Sequence, residues 1–433
     1  MRPAVLVSSL SLTLALLAAA APPAEAKPPH HHACSSAFAI TSVRVFDGEN
    51  VLSGATVLVV DDEIKAVGVN VVVPPGTPTI DGTGKTLLPG LIDGHAHAWE
   101  RWDLERAAQF GVTTEFDMWS DLTFVQEMTA EQEDTGATDR ADQFSAIHPA
   151  TVPEGYPYNW TPDIIETPTL STPHEAKKFV KDRKKEGANH LKIMLEDGTL
   201  TGPAIPVLDN PTIKALTREA RKRGMVSVAH ITRQGTAFDA VNNGVDGLVH
   251  IFIDEPATDT FIDLAVHKGI FLTATLNAEE GFITTDGGAA VIADPDLGPY
   301  LTDLEKLYLL YPPPESTLTL DNLQIAKDNV AALHAAGVPV LAGTDVATHG
   351  VSIHRDLELL VDAGLTPTEA LVAATSAPAD AFGFHDRGRI APGLRADLVL
   401  VNGNPTVNIK ATRAIHTIWK LGVEVERYQP PAP

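Results

Sequence analysis

Two patterns of apolar and polar positions alternate through the middle of the chain, from about residue 89 to residue 388. Short apolar runs rich in β-branched residues predict buried strands, and many are followed by stretches with the 3.6-residue spacing of amphipathic helices. Eight strands that alternate with helices predict an α/β protein with a (β/α)8 TIM barrel, whose first strand is GLIDGHAH. The other strand candidates are GVTTEFDM, DQFSAI, NHLKIML, MVSVAHI, DGLVHIF, GIFLTATL and VPVLAGTD.

The segments on either side of the barrel have a different pattern. Residues 38–88 and 389–425 contain Val-, Ile- and Thr-rich runs separated by Gly, Pro and Asp. Such runs are typical of β-strands joined by turns. We therefore expect both ends to form one small β-sandwich module. Within the barrel, two longer connections at about 149–172 and 277–319 are expected as loops at its mouth.

The first 26 residues have the layout of a secretory signal peptide. Arg2 precedes a long apolar stretch, and the segment closes in Ala-Glu-Ala at Ala26. A transmembrane anchor is the alternative, but the apolar stretch is short and ends in Pro and small residues. We expect cleavage near Ala26, a secreted or periplasmic protein with no membrane contact after cleavage, and a disordered linker over residues 27–37.

Composition and charge narrow the class of partner. The chain has 433 residues, of which 44% are hydrophobic and 20% charged, as in an ordinary globular protein. Its formal net charge of −24 argues against nucleic acids and anionic membranes as partners. A small-molecule substrate fits this balance, and the sequence leaves open whether the chain forms a homo-oligomer.

The first barrel strand ends in two histidines one residue apart. Side chains alternate between the two faces of a strand, so His95 and His97 point the same way, with Cα atoms about 7 Å apart. Such a pair either lies exposed at a strand end or binds one metal ion. Other predicted strands carry similar groups near their ends, namely Lys192 in HLKIML, His230 in SVAHI, His250 in LVHIF and Asp345 in LAGTD.

These six residues, from five strands, belong to one end of the predicted barrel. Active sites of such barrels lie at the C-terminal ends of the strands. Imidazole and carboxylate ligands suit zinc, with iron, manganese or cobalt as alternatives. The strand alternation sets Lys192 opposite the aliphatic Leu191 and Ile193, so the lysine faces the interior, where an isolated ammonium is costly and must be neutralised or paired.

The motifs that carry these residues resemble those of the amidohydrolase superfamily in its two-metal form, over about residues 38–425. They are LLPGLIDGHAH, GVTT at 111–114, LKIM, the strand ends at His230 and His250, AGTD at 342–345, and GRIAPGLRADLVLVNGNP. Within the superfamily, these motifs resemble those of the prolidase-like and imidazolonepropionase-like hydrolases.

The resemblance implies a specific centre. Lys192 matches the lysine that reacts with carbon dioxide, so it implies an N6-carboxylated Lys192 that bridges two divalent ions, most simply Zn²⁺. By the same match, His95, His97 and Asp345 would hold one ion, and His230 and His250 the other.

The expected reaction is hydrolysis of a C–N amide bond in a peptide-like or N-acyl amino acid substrate. Two cations that share a water lower its pKa towards neutrality, and Asp345 is the expected catalytic proton carrier. A one-metal deaminase or cyclic-amidine hydrolase is the alternative, although deaminases usually carry glutamate where this chain has Arg233. A non-catalytic metal- or solute-binding protein is a further alternative.

Substrate contacts are expected from residues that follow the strand ends. Arg233 lies just after His230 and is suited to binding a carboxylate. His349 follows Asp345 and is a second candidate for moving the proton. Tyr156 and Tyr158 lie in the long connection after the third strand and would form an aromatic wall.

Overall fold

The computed structural model describes residues 37–157, 167–312 and 317–429. The predicted signal peptide, nearly all of the predicted linker, and Tyr158 lie outside the described residues. The strands are β1 (Ala37–Phe46), β2 (Val51–Val60), β3 (Glu63–Gly68), β4 (Thr79–Asp81), β5 (Lys85–Pro89), β6 (Leu91–Ala96), β7 (Val112–Asp117), β8 (Asp142–Ser145), β9 (His190–Met194), β10 (Val226–His230), β11 (Gly247–Val249), β12 (Phe271–Thr273), β13 (Val340–Leu341), β14 (Leu398–Asn402), β15 (Ile415–Lys420) and β16 (Val423–Glu424).

Strands from the two ends of the chain pair into a single eight-stranded mixed sheet, whereas the sequence predicts a β-sandwich module. The strand order is β16-β15-β14-β5-β1-β2-β3, with β4 paired to β1. β1 runs parallel to β4 and β5, and the other pairs are antiparallel. The sequence predicts Ala37 as the last residue of the linker, but it is the first residue of β1, because it pairs with Val60 of β2.

The middle of the chain contributes eight parallel strands in two sheets. One sheet contains β6, β7 and β8, and the other contains β9 to β13 in sequence order. Backbone hydrogen bonds nevertheless span both joints. The amide of Gly94 donates to the carbonyl of Ala342 at one joint, and the amide of Asn189 donates to the carbonyl of Ser145 at the other, each at 2.9 Å. Strand order and direction therefore agree with the prediction, while the strand ladder is not continuous at these joints.

Helices follow most of these strands. They are α1 (Arg101–Gln109), α2 (Leu122–Thr135), α3 (Pro173–Glu186), α4 (Asn210–Arg221), α5 (Gln234–Asn242), α6 (Asp259–Lys268), α7 (Leu276–Gly281), α8 (Asp286–Ala293), α9 (Asp303–Leu309), α10 (Leu320–Ala335), α11 (Ile353–Asp362), α12 (Pro367–Ala373) and α13 (Ser376–Ala381), with short 3-10 helices at Gly298–Tyr300 and Ile409–Arg413. No helix in the described ranges is long and apolar enough to cross a membrane.

Local sequence explains where these helices begin and end. In α3, Thr172 and Glu175 form a capping box, Pro173 occupies the first turn, and Gly187 ends the helix in the left-handed region at φ 108°. The connection at 277–319, predicted as a loop, instead contains α7, α8 and α9. These helices are six to eight residues long, and so short a segment leaves little periodicity in the sequence.

Two apolar clusters surround the parallel strands. The outward face of β9, with Leu191 and Ile193, belongs to the large core shared with the helices. A separate cluster contains one inward side chain from each of six strands, namely Ile92, Phe116, Val228, Val249, Phe271 and Leu341. These strands therefore surround a common packed interior, as barrel strands do.

A buried ion cluster ties the parallel strands to the terminal module, at the opposite end from the predicted site. Asp142, the first residue of β8, is fully buried. Its Oδ2 lies 2.8 Å from Arg387 Nη1, 2.7 Å from Arg395 Nη2 and 3.1 Å from Lys420 Nζ. Burial alone would raise the pKa of Asp142, but these three cations outweigh it and lower the pKa to about 2.

Asp142→Asn is expected to lower the free energy of unfolding by about 3–5 kcal/mol, since it leaves buried cations without their shared partner. The matched control is Asp386→Asn, which removes a half-exposed carboxylate paired to Arg387 and costs about 1 kcal/mol or less. Because the pKa of Asp142 is lower in the folded protein than in the unfolded chain, its ionised carboxylate stabilises the fold at pH values above the unfolded-state pKa of about 3.9. This stabilisation is lost as the pH falls through the folded-state pKa of about 2. The difference in the free energy of unfolding between wild type and Asp142→Asn should therefore become smaller below about pH 4, as measured by urea denaturation. A difference that does not depend on pH would contradict the depressed pKa of Asp142.

Candidate metal centre

The structure brings the predicted ligands together at the C-terminal end of the parallel strands. His95 lies in β6, and His97 is the first residue after this strand. His230 ends β10, His250 comes immediately after β11, and Asp345 follows β13 by a few residues. Lys192 lies in the middle of β9, 1% exposed.

Ring nitrogens and one carboxylate converge within this group. The Nε2 atoms of His95 and His97 are 3.3 Å apart, and Oδ1 of Asp345 lies 3.2 Å and 2.9 Å from them. Oδ2 of Asp345 lies 3.7 Å from Nε2 of His250, whose ring centroid is 4.4 Å from that of His230. One donor atom each from His95, His250 and Asp345 lie within 4.8 Å of one another. His250 thus neighbours both of the ligand groups that the family resemblance implies.

The chemistry of this donor set fits a divalent metal ion. His97 donates from Nδ1 to the carbonyl of Trp119 at 3.0 Å, and Nδ1 of His250 shares a 2.7 Å hydrogen bond with the Thr275 hydroxyl. Such bonds orient a ligating imidazole and turn its Nε2 towards the metal. The buried Nε2 of His250 has no hydrogen-bond partner among the described residues.

The protonation states of His95, His250 and Asp345 favour the same conclusion. Burial, followed by the charge of Lys192, lowers the pKa of His95 to about 3, and burial with the neighbouring His230 holds the pKa of His250 well below its ordinary value. Both rings are therefore neutral at pH 7. Burial opposes ionisation of Asp345, but the surrounding imidazoles outweigh it and hold its pKa well below the ordinary value. Neutral imidazoles beside an ionised carboxylate are the ligand forms that zinc takes.

Lys192 lies in the same interior and forms no ion pair with any carboxylate in the described part of the chain. Burial lowers the pKa of its ammonium to about 7, although the charges of Asp345 and Asp117 oppose the shift. A substantial fraction of this amine is thus uncharged and nucleophilic at neutral pH. His190, two residues earlier on the same face, packs against Phe116 and Phe382 below the site.

The backbone is strained at three positions around the centre. His250, Thr275 and Asp345 have φ values of 72°, 49° and 50°, in the left-handed region. This region costs a residue other than glycine on the order of 1 kcal/mol or more, and such residues cluster at functional sites. These conformations direct two of the candidate ligands, and the hydroxyl that is bonded to one of them, towards the same point.

Sequence reasoning missed the groups that hold the ligands in place. Asp93 accepts hydrogen bonds at Oδ1 from the amides of His95 (3.0 Å) and Thr344 (3.1 Å), and at Oδ2 from the Thr344 hydroxyl (2.7 Å). It therefore fastens the end of β6 to the segment that carries Asp345. The signal was present in LIDGHAH, where a carboxylate occupies an otherwise apolar strand.

The residues that the sequence predicts as substrate contacts differ in their positions and in their partners. The ring of Tyr156 lies 5.3 Å from that of His230, at the edge of the centre. Nη1 of Arg233 lies 3.2 Å from Asp197 Oδ2 and its Nε lies 3.4 Å from Asp254 Oδ2, so its guanidinium is already engaged. His349 is 4% exposed and its Nδ1 lies 3.0 Å from Oε1 of Glu115, an ion-pair partner distant in sequence.

Comparisons with known proteins agree with this architecture. A family model described as the amidohydrolase family matches residues 86–425. An imidazolonepropionase from Cereibacter sphaeroides is 27% identical over 383 residues, which cover 82% of this chain and 90% of that protein. Ochratoxinase from Aspergillus niger is 25% identical over 261 residues, covering 57% of this chain and 48% of that protein, so the chain spans about half the length of ochratoxinase.

Solved structures share the fold. The crystal structure of a putative prolidase from Bifidobacterium longum has a TM-score of 0.72 and 24% sequence identity, covering 92% of this chain and 96% of that one. The crystal structure of A. niger ochratoxinase has a TM-score of 0.70 and 19% identity, covering 90% of this chain and 95% of that one.

Proposed function

Since this chain belongs to the amidohydrolase family and is a hydrolase, we propose that it cleaves a C–N amide bond in a peptide-like or N-acyl amino acid substrate with the help of bound metal. The observation that carries the proposal is the convergence of His95, His97 and His250 on the carboxylate of Asp345. The names of the relatives, which are imidazolonepropionase, putative prolidase and ochratoxinase, support a C–N bond as the point of cleavage.

We propose that the eight parallel strands close into a (β/α)8 barrel, with this site at the C-terminal ends of the strands. The six-strand interior cluster and the hydrogen bonds across both joints favour closure. The first 26 residues support export, and we propose that the mature protein acts in the periplasm or outside the cell.

Six residues would hold two divalent ions, most simply Zn²⁺: His95, His97, Lys192, His230, His250 and Asp345. When bound, such ions supply a hydroxide nucleophile at neutral pH and polarise the substrate carbonyl. Lys192 takes part as a carbamate. The ammonium first loses a proton, and the neutral amine then forms an N–C bond to carbon dioxide and releases a second proton, so that a buried cation is replaced by an anionic ligand.

The chain's own groups then orient the reaction and move its proton. The Trp119 carbonyl and the Thr275 hydroxyl fix the rings of His97 and His250. Asp345, ionised and with 20% of its side chain exposed towards the mouth, accepts a proton from the attacking water and passes it to the leaving nitrogen. The ring of Tyr156 beside His230 limits the space for substrate.

Product analysis tests the proposed reaction. The zinc-loaded protein is incubated with dipeptides, N-acyl amino acids, aryl amides and cyclic amidines, and products are identified by mass spectrometry. We expect one amine and one carboxylic acid per amide cleaved, loss of turnover on chelation, and recovery with zinc, cobalt or manganese. Release of ammonia from an amidine, with no amide cleaved, would favour the deaminase instead.

A further inference from the structure

One ion of the proposed centre is assigned fewer side chains than the other. His230 and His250 would hold it, whereas three side chains would hold its neighbour, and the bridging Lys192 is shared by both. The ring centroids of His230 and His250 are 4.4 Å apart, and the buried Nε2 of His250 has no hydrogen-bond partner among the described residues. A further ligand for this ion would come from a side chain next to these two rings.

A carboxylate that the mechanism above does not use lies beside His230. Oε2 of Glu196 is 3.7 Å from Nε2 of His230, and the two side chains are 15% and 12% exposed. This distance is too long for a direct hydrogen bond. Zinc binds imidazole nitrogen and carboxylate oxygen at about 2.0–2.2 Å, so two ligands of one ion lie about 3–4 Å apart. The pair is therefore spaced like two ligands of one ion, as are Oδ2 of Asp345 and Nε2 of His250, also 3.7 Å apart.

Neighbouring groups hold this carboxylate in place. The residue before it, Leu195, donates from its amide to the carbonyl of His230 at 3.1 Å. Oε1 of Glu196 accepts a hydrogen bond from the amide of Gly198, and Oε2 accepts one from the hydroxyl of Thr232, each at 2.6 Å. Such bonds to a ligating carboxylate fix its direction towards a metal ion. The carboxylate of Glu196 is thus kept beside His230.

The charge of this carboxylate is not balanced by a basic side chain. Its neighbour Asp197 pairs with Arg233, whose Nη1 is 3.2 Å from Oδ2 of Asp197. Within the described ranges, no lysine or arginine forms an ion pair with Glu196. A largely buried carboxylate without a counter-charge is costly, and a divalent cation between Glu196 and His230 would remove that cost.

We propose that Glu196 is a further ligand of the ion assigned to His230 and His250, and that its carboxylate increases the affinity of the centre for that ion. The inference deepens the proposed function and rests on its metal centre. Each of the two ions would then have one carboxylate side chain of its own, Asp345 for one and Glu196 for the other.

Metal-binding measurements test this role without a substrate. Zinc-loaded protein is dialysed, with bicarbonate present, against solutions in which a chelator sets the concentration of free zinc. Elemental analysis then gives the zinc bound per chain. The test variant is Glu196→Gln, which keeps the size of the side chain and one oxygen, and the matched control is Asp197→Asn, which removes the adjacent carboxylate. In a parallel titration with cobalt, the visible spectrum reports the ligands of each ion.

We expect the wild type and Asp197→Asn to bind two ions per chain over the same range of free zinc. Glu196→Gln should bind one ion like the wild type and the other at least about 10-fold more weakly, since loss of a group that only orients a ligand already weakens metal binding by about 10–100-fold. The spectrum of one cobalt equivalent should change in Glu196→Gln, and the spectrum of the other should not.

Three results would overturn the inference: both ions bound by Glu196→Gln as tightly as by the wild type, equal weakening of both ions in that variant, or the same weakening in Asp197→Asn. A wild type that binds only one ion would overturn the two-metal centre as well. Selective weakening of one ion, without hydrolysis of any amide by the wild type, would refute the proposed reaction alone. Amide hydrolysis by the wild type, with unchanged metal binding in Glu196→Gln, would refute the inference alone.

Discussion

Replacing Asp345 with asparagine is expected to lower kcat by about 10²–10⁴-fold, the usual contribution of a general acid–base group. The amide keeps the shape and one oxygen near the rings of His95 and His97, but it loses the negative charge and cannot carry a proton. KM and metal content should therefore change much less than kcat. Steady-state kinetics on the best amide substrate, together with elemental analysis of the same preparation, test this split.

The outcome for Asp345→Asn also identifies the proton carrier. Full turnover in the variant would leave Asp345 as a ligand only, and the proton would need another route. His349, which the sequence suggests as the alternative, is held by Glu115 in the interior. His349→Gln is therefore the comparison variant, and we expect it to lower kcat far less than Asp345→Asn does.

Replacing Lys192 with alanine is expected to reduce activity by several orders of magnitude. The side chain is 1% exposed on the inward face of β9, and no other described lysine lies beside the centre. Alanine removes the amine that forms the carbamate and leaves a cavity between the histidine ligands. A short carboxylic acid added with zinc should restore part of the activity, since it offers the missing bridging oxygens.

Lys192→Met is the control for this rescue. Methionine is similar in length and uncharged, so it fills the space and should block the added acid. Near-normal turnover in either variant would show that no carbamate at this position is needed. Recovery of activity in both variants with zinc alone, without the acid, would also show that no carbamate at this position is needed.

The positions of the candidate ligands could be predicted where they lie in regular strands, because side chains alternate there with a period of two. Lys192 faces the interior since Leu191 and Ile193 must pack against helices, and the structure agrees. His95 and His97 converge for the same reason. Local sequence thus determines which residues reach the end of the strands.

The grouping within the centre could not be predicted in this way. His250 lies close to Asp345 because both adopt left-handed backbone conformations just after their strands. Pattern reasoning assumes regular strands and does not anticipate such turns. The position of the His349 side chain depends on its contact with Glu115. The position of the Arg233 side chain depends on its contacts with Asp197 and Asp254. All of these partners are distant in sequence, so the pattern along the chain does not reveal them.

Helix α7 was missed for another reason. It is six residues long and lies inside a segment whose Pro, Gly and Asp content favours a loop. A helix of this length is held by its packing, here through the Asn277 amide, which donates to Asp356 at 3.0 Å, and the pair of Glu280 with Arg355.

Elemental analysis of purified wild type and Lys192→Ala, measured side by side, tests the central claim most directly. A two-metal centre bridged by modified Lys192 predicts about two metal ions per wild-type chain and a clear loss from the variant. One tightly bound ion per wild-type chain at full activity, unchanged in Lys192→Ala, would contradict it.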